Sequence, residues 1–498
     1  MANPAYLKRS SFRQWLHYHF LEKKLNTVFG YVFLFAVAIV VSFVTSEINY
    51  KLGPAILALA GGFLLFIMMI RNPYWGFYFL IVFSAITVTI DRLIMVPLPL
   101  GFVIEGMSYI IMLNLLLKYD FKRNIDLRFW TNPITIGMYI LFAYYVLELF
   151  NPERVSALGW LSYFRKQFSF FIFYYICYCL LNTREKIIYF IRFMIAITTI
   201  FAAYACKQQW FGYAGFELRY IGTGNGLTLL FQGGLLRKFS VFSDPSTSGI
   251  LFASVAMLCI ILLLRSNNKT ERRWMTVALI FNLLGYSYSG TRTATLMIIS
   301  GILLYCIATI NERRTGVFLI FCAFAFTILM VVPFQSAVTN RIRSTFEGTK
   351  DASASVRDYD RHEVQPYIQA HPMGGGIFTS GFEGFKYNKG HYLEYLQPDS
   401  GYMKTIAEQG AIGLFLLLAF YFIVMRYGFR HFFRVKDPEI RTYYIGLLVM
   451  MFTLLVAQYS QMAITQYPLV FFFYAIMVIF IKLADFDKFV PPFKTTEN

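Results

Sequence analysis

A single arginine lies in a long uncharged part of the sequence, in the stretch SGTR at residues 289–292. Between Arg273 and Glu312, Arg292 is the only charged side chain. An isolated Arg at the centre of a bilayer costs roughly 2.5–3.5 kcal/mol on insertion scales. Arg292 is therefore expected either to have a buried role or to lie at a hydrated edge of the membrane.

Other basic side chains are predicted to share the membrane face of Arg292. The guanidinium group of Arg is a planar fork that binds phosphate oxygens in pairs, and such contacts strengthen where water is partly excluded. Together these cations would suit a lipid-linked diphosphate, whereas each one alone could simply extend toward the interface. They are Arg154, Arg165 and Lys166 after one apolar run, and Arg237 and Lys238 before another.

The composition is that of a protein with many membrane spans. The chain has 498 residues, 57% of them hydrophobic and 14% charged, and a mean hydropathy of +0.54. We therefore predict an all-α, polytopic integral membrane protein with about 12–14 transmembrane helices and one large extracytoplasmic loop that contains helices. The predicted spans cover about residues 28–46, 53–70, 73–90, 98–117, 132–150, 163–181, 186–206, 246–264, 274–290, 292–310, 316–334, 411–428, 442–460 and 465–481.

The distribution of charge indicates a membrane orientation and gives no reason to expect nucleic acid. The net charge is +18, but the Lys and Arg residues of the short connectors, such as KYDFKRNIDLRF and NERR, fall on one side of the predicted topology. The positive-inside rule makes that side cytoplasmic. Both termini are therefore predicted to be cytoplasmic, with the basic N-terminal segment as an interfacial helix on anionic lipid and no cleavable signal peptide.

The predicted organisation puts the longest polar segment outside the cytoplasm, where a loop of such length is expected to be functional. Within it, SASVRDYDRHEVQPYIQAHPMGGG predicts a helix capped by Ser353 or Ser355, with a kink or an early end at Pro366. The predicted parts are a cytoplasmic basic segment at 1–27, a transmembrane bundle at 28–334 with an outer-face loop at 207–245, a large extracytoplasmic catalytic loop at 335–410, C-terminal transmembrane helices at 411–482 and a cytoplasmic tail at 483–498.

Metal and nucleotide chemistry are not indicated by the residues. The six cysteines lie in or beside apolar runs without metal-ligand spacing, and we interpret them as small core residues. The stretch IGTGNG at 221–226 does not join a strand to a helix, so it is not a phosphate-binding loop. We expect no metal and no cofactor.

Four stretches resemble the O-antigen ligase and polysaccharide polymerase family, in the family's order and on the predicted outer side. The third is similar to an outer-loop helix that ends in a His-Pro-x-x-Gly-x-Gly turn, and the fourth is similar to the re-entry into the membrane before Gly-x-x-Gly. They are LLRKFSVFSDPSTSGILFA, YSYSGTRTATLMIISGILLY, SVRDYDRHEVQPYIQAHPMGGGIF and DSGYMKTIAEQGAIGLFLLL, within about residues 230–430.

The resemblance implies an inverting, metal-independent glycosyltransferase of the all-helical membrane type. Its donor would be an undecaprenyl-diphosphate-linked oligosaccharide on the outer face of the bacterial cytoplasmic membrane. The expected partners are that glycan and the bilayer, and the resemblance also admits a flippase and a chain-length regulator. By match to the family, the donor diphosphate would be held by Arg237, Arg292, Arg165 and Arg357, with Lys238 as a further candidate.

The general base is expected at Asp399, because this residue occupies the position of the family's histidine, counted back from Gly410. A carboxylate in water is a weaker base than imidazole, so His391 and His371 are alternative bases. His371 can equally be a turn residue before Pro372. Glu105, a carboxylate within an apolar run, could make a structural hydrogen bond or contact an acceptor sugar.

Three functions are open from the sequence. The first is polymerisation of repeat units of O-antigen, capsule or exopolysaccharide, which the Asp at position 399 favours. The second is ligase-type transfer of finished polysaccharide to a lipid or protein acceptor. The third is a lipid-linked oligosaccharide flippase, although paired half-repeats typical of transporters are not evident.

Overall fold

The structure is a computed structural model that describes residues 27–43, 61–62, 65–94, 99–118, 126–223, 226–232, 235–331, 343 and 352–487. The chain falls into two compact units, residues 1–72 and 73–498. In the first unit, helix α1 (Val28–Phe43) follows Thr27, whose Oγ1 accepts a hydrogen bond from the Gly30 amide at 3.2 Å. The predicted N-terminal interfacial helix and most of the predicted span at 53–70 lie outside the described residues.

The second unit is helical, as predicted, with one short strand pair in its described part. The pair joins β1 (Phe231–Gln232) and β2 (Leu235–Leu236) in antiparallel register. The helices are α2 (Pro73–Ile94), α3 (Leu100–Lys118), α4 (Leu127–Thr131), α5 (Pro133–Leu147), α6 (Ala157–Leu180), α7 (Arg184–Trp210), α8 (Gly215–Gly222), α9 (Gly226–Leu230), α10 (Pro245–Arg265), α11 (Lys269–Ser289), α12 (Arg292–Ala308), α13 (Arg313–Val331), α14 (Ala352–Ala370), α15 (Gly381–Tyr387), α16 (Gly401–Arg434), α17 (Pro438–Ala457) and α18 (Leu469–Lys482).

Among the described residues, 8 helices are long and apolar enough to cross a membrane, judged by length and composition. Each coincides with a predicted span, and α12 is a shorter apolar helix at another. Helices α1, α6, α11 and α13 also lie on predicted spans but are not among those eight. The eight are α2, α3, α5, α7, α10, α16, α17 and α18, the last extending to Phe486.

Several helices begin where the sequence carries a capping residue followed by proline. Asp244 accepts the Thr247 amide at the start of α10, Asn132 accepts the Thr135 amide before α5, and Asp437 caps α17. A side-chain oxygen at this position satisfies an amide that the helix leaves unpaired, and proline after it needs no amide partner. Asp244 therefore has the structural role expected for a residue at a helix start.

Helix α10 lies at the centre of the second unit. In the most apolar 18-residue stretch of α10, 83% of the residues are buried, compared with 39% in that of α2. Helix α10 packs against α7, α11, α12 and α17. A helix that is apolar on all sides is stable only when other helices surround it or lipid does. The turn that leads into α10 is thus held on a rigid support.

The structure corrects two predicted details of the outer-loop helix α14. Helix α14 begins at Ala352 and continues through Pro366 to Ala370, so of the two alternatives predicted at Pro366, a kink or an early end, the early end is wrong. Ser353 and Ser355 lie inside this helix and therefore do not cap it. Helix α16 begins at Gly401, within the segment predicted as loop, and Gly410 forms a kink in it with non-helical φ and ψ of 68° and −172°.

Candidate functional site

The turn between α11 and α12 presents Arg292 at the first position of α12. Gly290 ends α11 in the left-handed conformation, with φ of 59°, which glycine adopts without strain. Thr291 follows as the residue before the helix. A Cβ atom added at Gly249 of α10 would lie 2.4 Å from Ser289 Oγ, so α10 approaches this turn closely because residue 249 has no side chain.

Arg237 is bonded directly to the turn that carries Arg292. Its Nε donates to the Ser289 carbonyl at 2.8 Å and its Nη2 donates to Thr291 Oγ1 at 3.1 Å. The side chain is buried, and it comes from the loop between α7 and α10. Arg237 is thus bonded to the turn that carries Arg292, another of the predicted diphosphate-binding residues.

Lys238 lies beside the same turn. Its amide donates to the Tyr288 carbonyl at 3.0 Å, and its ammonium group lies 4.5 Å from the centre of the Tyr213 ring. Burial lowers the pKa of Lys238 below its ordinary value. A buried cation of this kind gains from an anion that enters the site.

Arg92 anchors the loop between α7 and α10, and the sequence analysis did not select it. Its Nη2 donates to the Ser243 carbonyl at 2.9 Å, and its guanidinium lies 4.2 Å from the Tyr220 ring centre and 4.3 Å from that of Phe239. In the sequence, Arg92 could have been recognised by its position at the end of a predicted span, next to Asp91. Arg92 therefore fixes the loop that supplies Arg237.

The start of α12 is connected to the surroundings of Asp399. Thr293 Oγ1 and Ser460 Oγ lie 2.7 Å apart, and Ser460 lines a small cleft together with Asp399. Asp399 is exposed and comes directly before Ser400, whose Oγ accepts the Met403 amide at the start of α16. The segment that joins α17 to α18 thus contacts Arg292's helix on one side and the Asp399 cleft on the other.

Arg361 is a further cation at this cleft, which it lines with Asp399. Its Nη1 donates to the Tyr459 hydroxyl at 3.0 Å, and its guanidinium lies 4.7 Å from the centre of the same ring. Arg357, selected from the sequence, lies one turn earlier in α14, and its side chain is outside the part that the structure describes. The described cation of α14 at the cleft is therefore Arg361.

His371 and His391 both pack against the Tyr367 ring, and neither lines the Asp399 cleft. The His371 ring stacks on Tyr367 with centres 4.0 Å apart, and its Nε2 lies 3.7 Å from Glu153 Oε1. His391 Nδ1 accepts the Leu393 amide at 3.0 Å, and burial lowers the pKa of His391. The contacts that both rings make in this structure are thus structural. A catalytic role for either histidine stays a prediction.

Arg165 and Glu105 form an ion pair, with Nε and Oε2 3.3 Å apart. The Arg165 guanidinium also lies 3.9 Å from the centre of the Phe102 ring. This ion pair is a structural contact of Glu105, while its two predicted roles, a structural hydrogen bond or a contact with an acceptor sugar, stay predictions. Arg165 binds α6 to α3, whereas Arg237 is bonded to the α11–α12 turn.

The glycines after His371 bind the loop to α16. The Gly375 amide donates to the Ala407 carbonyl at 2.9 Å and the Gly376 amide to the Glu408 carbonyl at 2.8 Å. A Cβ atom at Gly410 would lie 1.9 Å from the Pro372 carbonyl oxygen. A Cβ atom at Gly374 would likewise lie 2.4 Å from the Gly410 amide nitrogen, so close contact between two backbones requires glycine at both positions.

Glu408 is a buried carboxylate that the sequence analysis missed. It accepts hydrogen bonds from the Phe378 amide at 3.2 Å, the Ser380 amide at 3.3 Å and Ser380 Oγ at 2.5 Å. Lys404 Nζ lies 3.8 Å from it and 3.3 Å from Glu383. In the sequence, Glu408 could have been noticed as a carboxylate two residues before Gly410, at the start of the re-entry helix.

Fold and site together define a predominantly helical, polytopic membrane protein with a cationic turn joined to a polar loop. A family model described as O-Antigen ligase matches residues 277–418, which include the Arg292 turn, α14, the glycine segment and Asp399. The resemblance to an O-antigen ligase and polymerase type of family is thereby confirmed over these residues. No curated protein matches the chain.

The family match indicates a general class of activity. It supports a membrane enzyme of the O-antigen ligase or polymerase type, with glycosyltransferase-like or ligase activity. Lipid-linked polysaccharide and the bilayer are the partners that this class implies. With eight apolar helices, the match indicates a multi-pass protein of the bacterial inner membrane.

Proposed function

We propose that this protein polymerises repeat units of a cell-surface polysaccharide on the outer face of the cytoplasmic membrane. It would transfer a glycan from undecaprenyl diphosphate to a hydroxyl of another lipid-linked repeat unit, with inversion at C1. The observation that carries this proposal is the bonding of the Arg237 guanidinium into the turn that presents Arg292.

The turn suits a diphosphate for two physical reasons. Arg292 is the first residue of α12, and the unpaired amides and dipole of a helix N-terminus favour negative charge. Arg237 and Lys238 add cations at the same turn, held by backbone contacts that need no rearrangement when the substrate binds. A sugar bonded to diphosphate already has a good leaving group, so stabilising the departing charge is the main catalytic requirement.

Asp399 is proposed to accept the proton of the acceptor hydroxyl as the new glycosidic bond forms. Its exposure leaves it accessible to a substrate, and its cleft adjoins Ser460, which contacts α12. The carboxylate would also orient the acceptor, which supplies much of the rate gain in a reaction between two bound molecules. Both termini in the cytoplasm and residues 335–410 outside it remain part of this proposal.

Ligase-type transfer to a separate acceptor is the second candidate, because the matching family model is described as O-Antigen ligase. Under this alternative, the cationic turn has the same role and only the acceptor differs. Asp399 in place of the family's histidine favours the polymerase.

The deciding experiment incubates the purified protein with its undecaprenyl-diphosphate-linked repeat unit as the only substrate and separates the products on a gel. The wild type is expected to give a ladder of longer lipid-linked products. Arg292→Ala is expected to lower the rate by about 10²-fold or more, as loss of a group that stabilises developing charge does. Asp399→Asn should lower turnover more than donor binding.

Arg192→Ala is the matched control, because Arg192 is an exposed arginine that pairs with Glu271 at 3.4 Å between α7 and α11. A ladder from Arg292→Ala as intense as that of the wild type would overturn the proposed role of the turn. Transfer only after a separate acceptor is added would instead identify a ligase. No product in either assay would favour transport.

A further inference from the structure

A cavity of about 310 Å³ lies on the other side of the segment that joins α17 to α18. Gln458 and Gln466 of this segment line the cavity, while its Ser460 contacts Thr293 beside Arg292. Gln466 Oε1 also accepts a hydrogen bond from Thr247 of α10 at 2.7 Å. One short segment therefore separates the cationic turn from the cavity.

The lining of the cavity is suited to a sugar. Aromatic rings such as Tyr163 and Phe378, whose centres lie 5.3 Å apart, offer faces on which the C–H groups of a sugar ring can stack. Gln409 and Gln458 add amide groups that both donate and accept hydrogen bonds. The volume lies at the lower end of the about 300–1,000 Å³ typical of small-molecule sites.

Lys166 is the unusual feature of this lining. The other cation of the cavity, Lys404, has Glu383 at 3.3 Å and Glu408 at 3.8 Å. Within the part of the chain that the structure describes, Lys166 makes neither a hydrogen bond nor an ion pair. Its neighbour Arg165 already occupies Glu105, so that carboxylate is engaged as well.

The half-buried Lys166 ammonium group has no carboxylate in direct contact, because Glu383 pairs with Lys404 and Glu105 with Arg165, and these two carboxylates act on it only at longer range. An anion in direct contact would offset more of its desolvation cost. Lysine is a single point charge and suits a monoanion, whereas a diphosphate is better held by the paired donors of arginine. The cavity therefore differs in kind from the turn at Arg237 and Arg292. A carboxylate on a sugar ring matches both the cation and the aromatic faces.

We propose that this cavity binds a carboxylate-bearing sugar of the acceptor repeat unit, with its carboxylate on Lys166. This inference rests on the proposed polymerase function and adds the class of substrate. An acidic sugar held there lies across one segment from the Arg292 turn, so it would place the acceptor next to the donor diphosphate.

The test compares two substrates in the gel assay. One is the undecaprenyl-diphosphate-linked repeat unit from the native host, and the other is the same material after its carboxylates have been reduced to primary alcohols. Lys166→Gln is expected to raise the KM for the native acceptor about tenfold to a hundredfold, with kcat nearly unchanged, because one charged contact is lost. Lys166→Arg should restore most of the affinity.

On the reduced substrate, wild type and Lys166→Gln should have the same KM. Lys389→Gln, a change at an exposed loop lysine, is the matched control and should behave as the wild type on both substrates. A KM increase of equal size on native and reduced substrates would overturn the proposal, as would a polysaccharide product without any carboxylate-bearing sugar. No ladder from the wild type on either substrate would instead mean that the proposed function has failed.

Discussion

At the residue scale, the arginines of this protein divide into different roles according to their contacts. Arg237 is bonded into the Arg292 turn, Arg92 holds the loop that carries Arg237, and Arg165 pairs with Glu105. Arginine serves each role because its five donors can bind a carbonyl, a carboxylate or an aromatic face. Residue type alone therefore does not separate substrate-binding arginines from structural ones.

His391 gives a pH dependence whose sign follows from its burial. Burial lowers the folded-state pKa of His391 below the ordinary value of 6.5, although Glu153 and Glu394 favour the charged form and His371 disfavours it. Above pH 6.5 the ring is neutral in both folded and unfolded states, and its contribution to stability is constant. Below that pH the unfolded chain binds the proton more readily, so stability is expected to fall as the pH falls.

The measurement is the thermal unfolding midpoint of the purified protein between about pH 8 and pH 5, the range in which histidine changes charge. His391→Asn keeps an oxygen that can accept the Leu393 amide but does not titrate. The variant is expected to lose less stability toward low pH than the wild type. Parallel curves for the two proteins would show that His391 does not carry this dependence.

At the element scale, the kink in α16 joins the outer loop to the membrane bundle. Gly410 has a φ of 68° and a ψ of −172°, a region that is essentially restricted to glycine. The segment from Pro372 to Gly376 packs directly on this kink, and the Tyr144 hydroxyl donates to the Gln409 carbonyl at 2.6 Å from α5. The kink is therefore held by contacts from the outer loop and from α5.

Gly410→Ala is expected to destabilise the protein by about 3 kcal/mol or more. The positive φ costs roughly 1–2 kcal/mol for a residue with a Cβ atom, and overlap of that atom with the Pro372 carbonyl adds to it. The unfolding midpoint in detergent should fall markedly. Packing of the loop on α16 should be impaired in the same variant, and the measurement is the resistance of the loop to protease.

Gly212→Ala provides the control, because Gly212 also has a positive φ, of 80°, but no atom within 4 Å of the added Cβ. Gly212→Ala is expected to lower the free energy of unfolding only by the cost of the positive φ, about 1–2 kcal/mol. Equal losses of unfolding free energy in the two variants would mean that the contact between Pro372 and Gly410 does not contribute to the effect of Gly410→Ala.

At the scale of the whole molecule, orientation in the membrane decides which substrate can reach the site. The short connectors with basic residues are on one side of the predicted topology, and the loop with Asp399 is on the other. A carrier-linked glycan on the outer face of the membrane reaches the site only in the proposed orientation. The proposed chemistry therefore depends on a topology that can be measured directly.

Cysteine labelling in intact cells tests this topology. Tyr395→Cys places a thiol at a loop residue that is 75% exposed, and it should react with a membrane-impermeant maleimide added outside. Asn267→Cys, at the exposed connector between α10 and α11, should react only after the membrane is permeabilised. The reverse pattern would place the site in the cytoplasm and exclude the proposed substrate. The native thiols to be replaced first are Cys177, Cys179, Cys206, Cys259, Cys306 and Cys322.

The sequence by itself determined the class of protein and most of its helices. Hydropathy and capping are local properties, so Asp244 before Pro245 and the uncharged run around Arg292 already mark helix starts and spans. The four family-like motifs likewise lie in continuous stretches, and the O-Antigen ligase model matches where three of them fall. The helix from Ala352 to Ala370 was predicted for the same reason, although the early end, one of the two outcomes predicted at its proline, was wrong.

Only the tertiary structure decided which of these side chains meet. Arg237 and Ser289 are far apart in the chain and are joined because α10 and α11 pack together, which no local pattern encodes. Glu408 was missed because its partners, Phe378 and Ser380, come from a distant loop. The same cause explains the enclosure of Lys166: its cavity is lined by several separate elements, and their packing sets which charges have a partner.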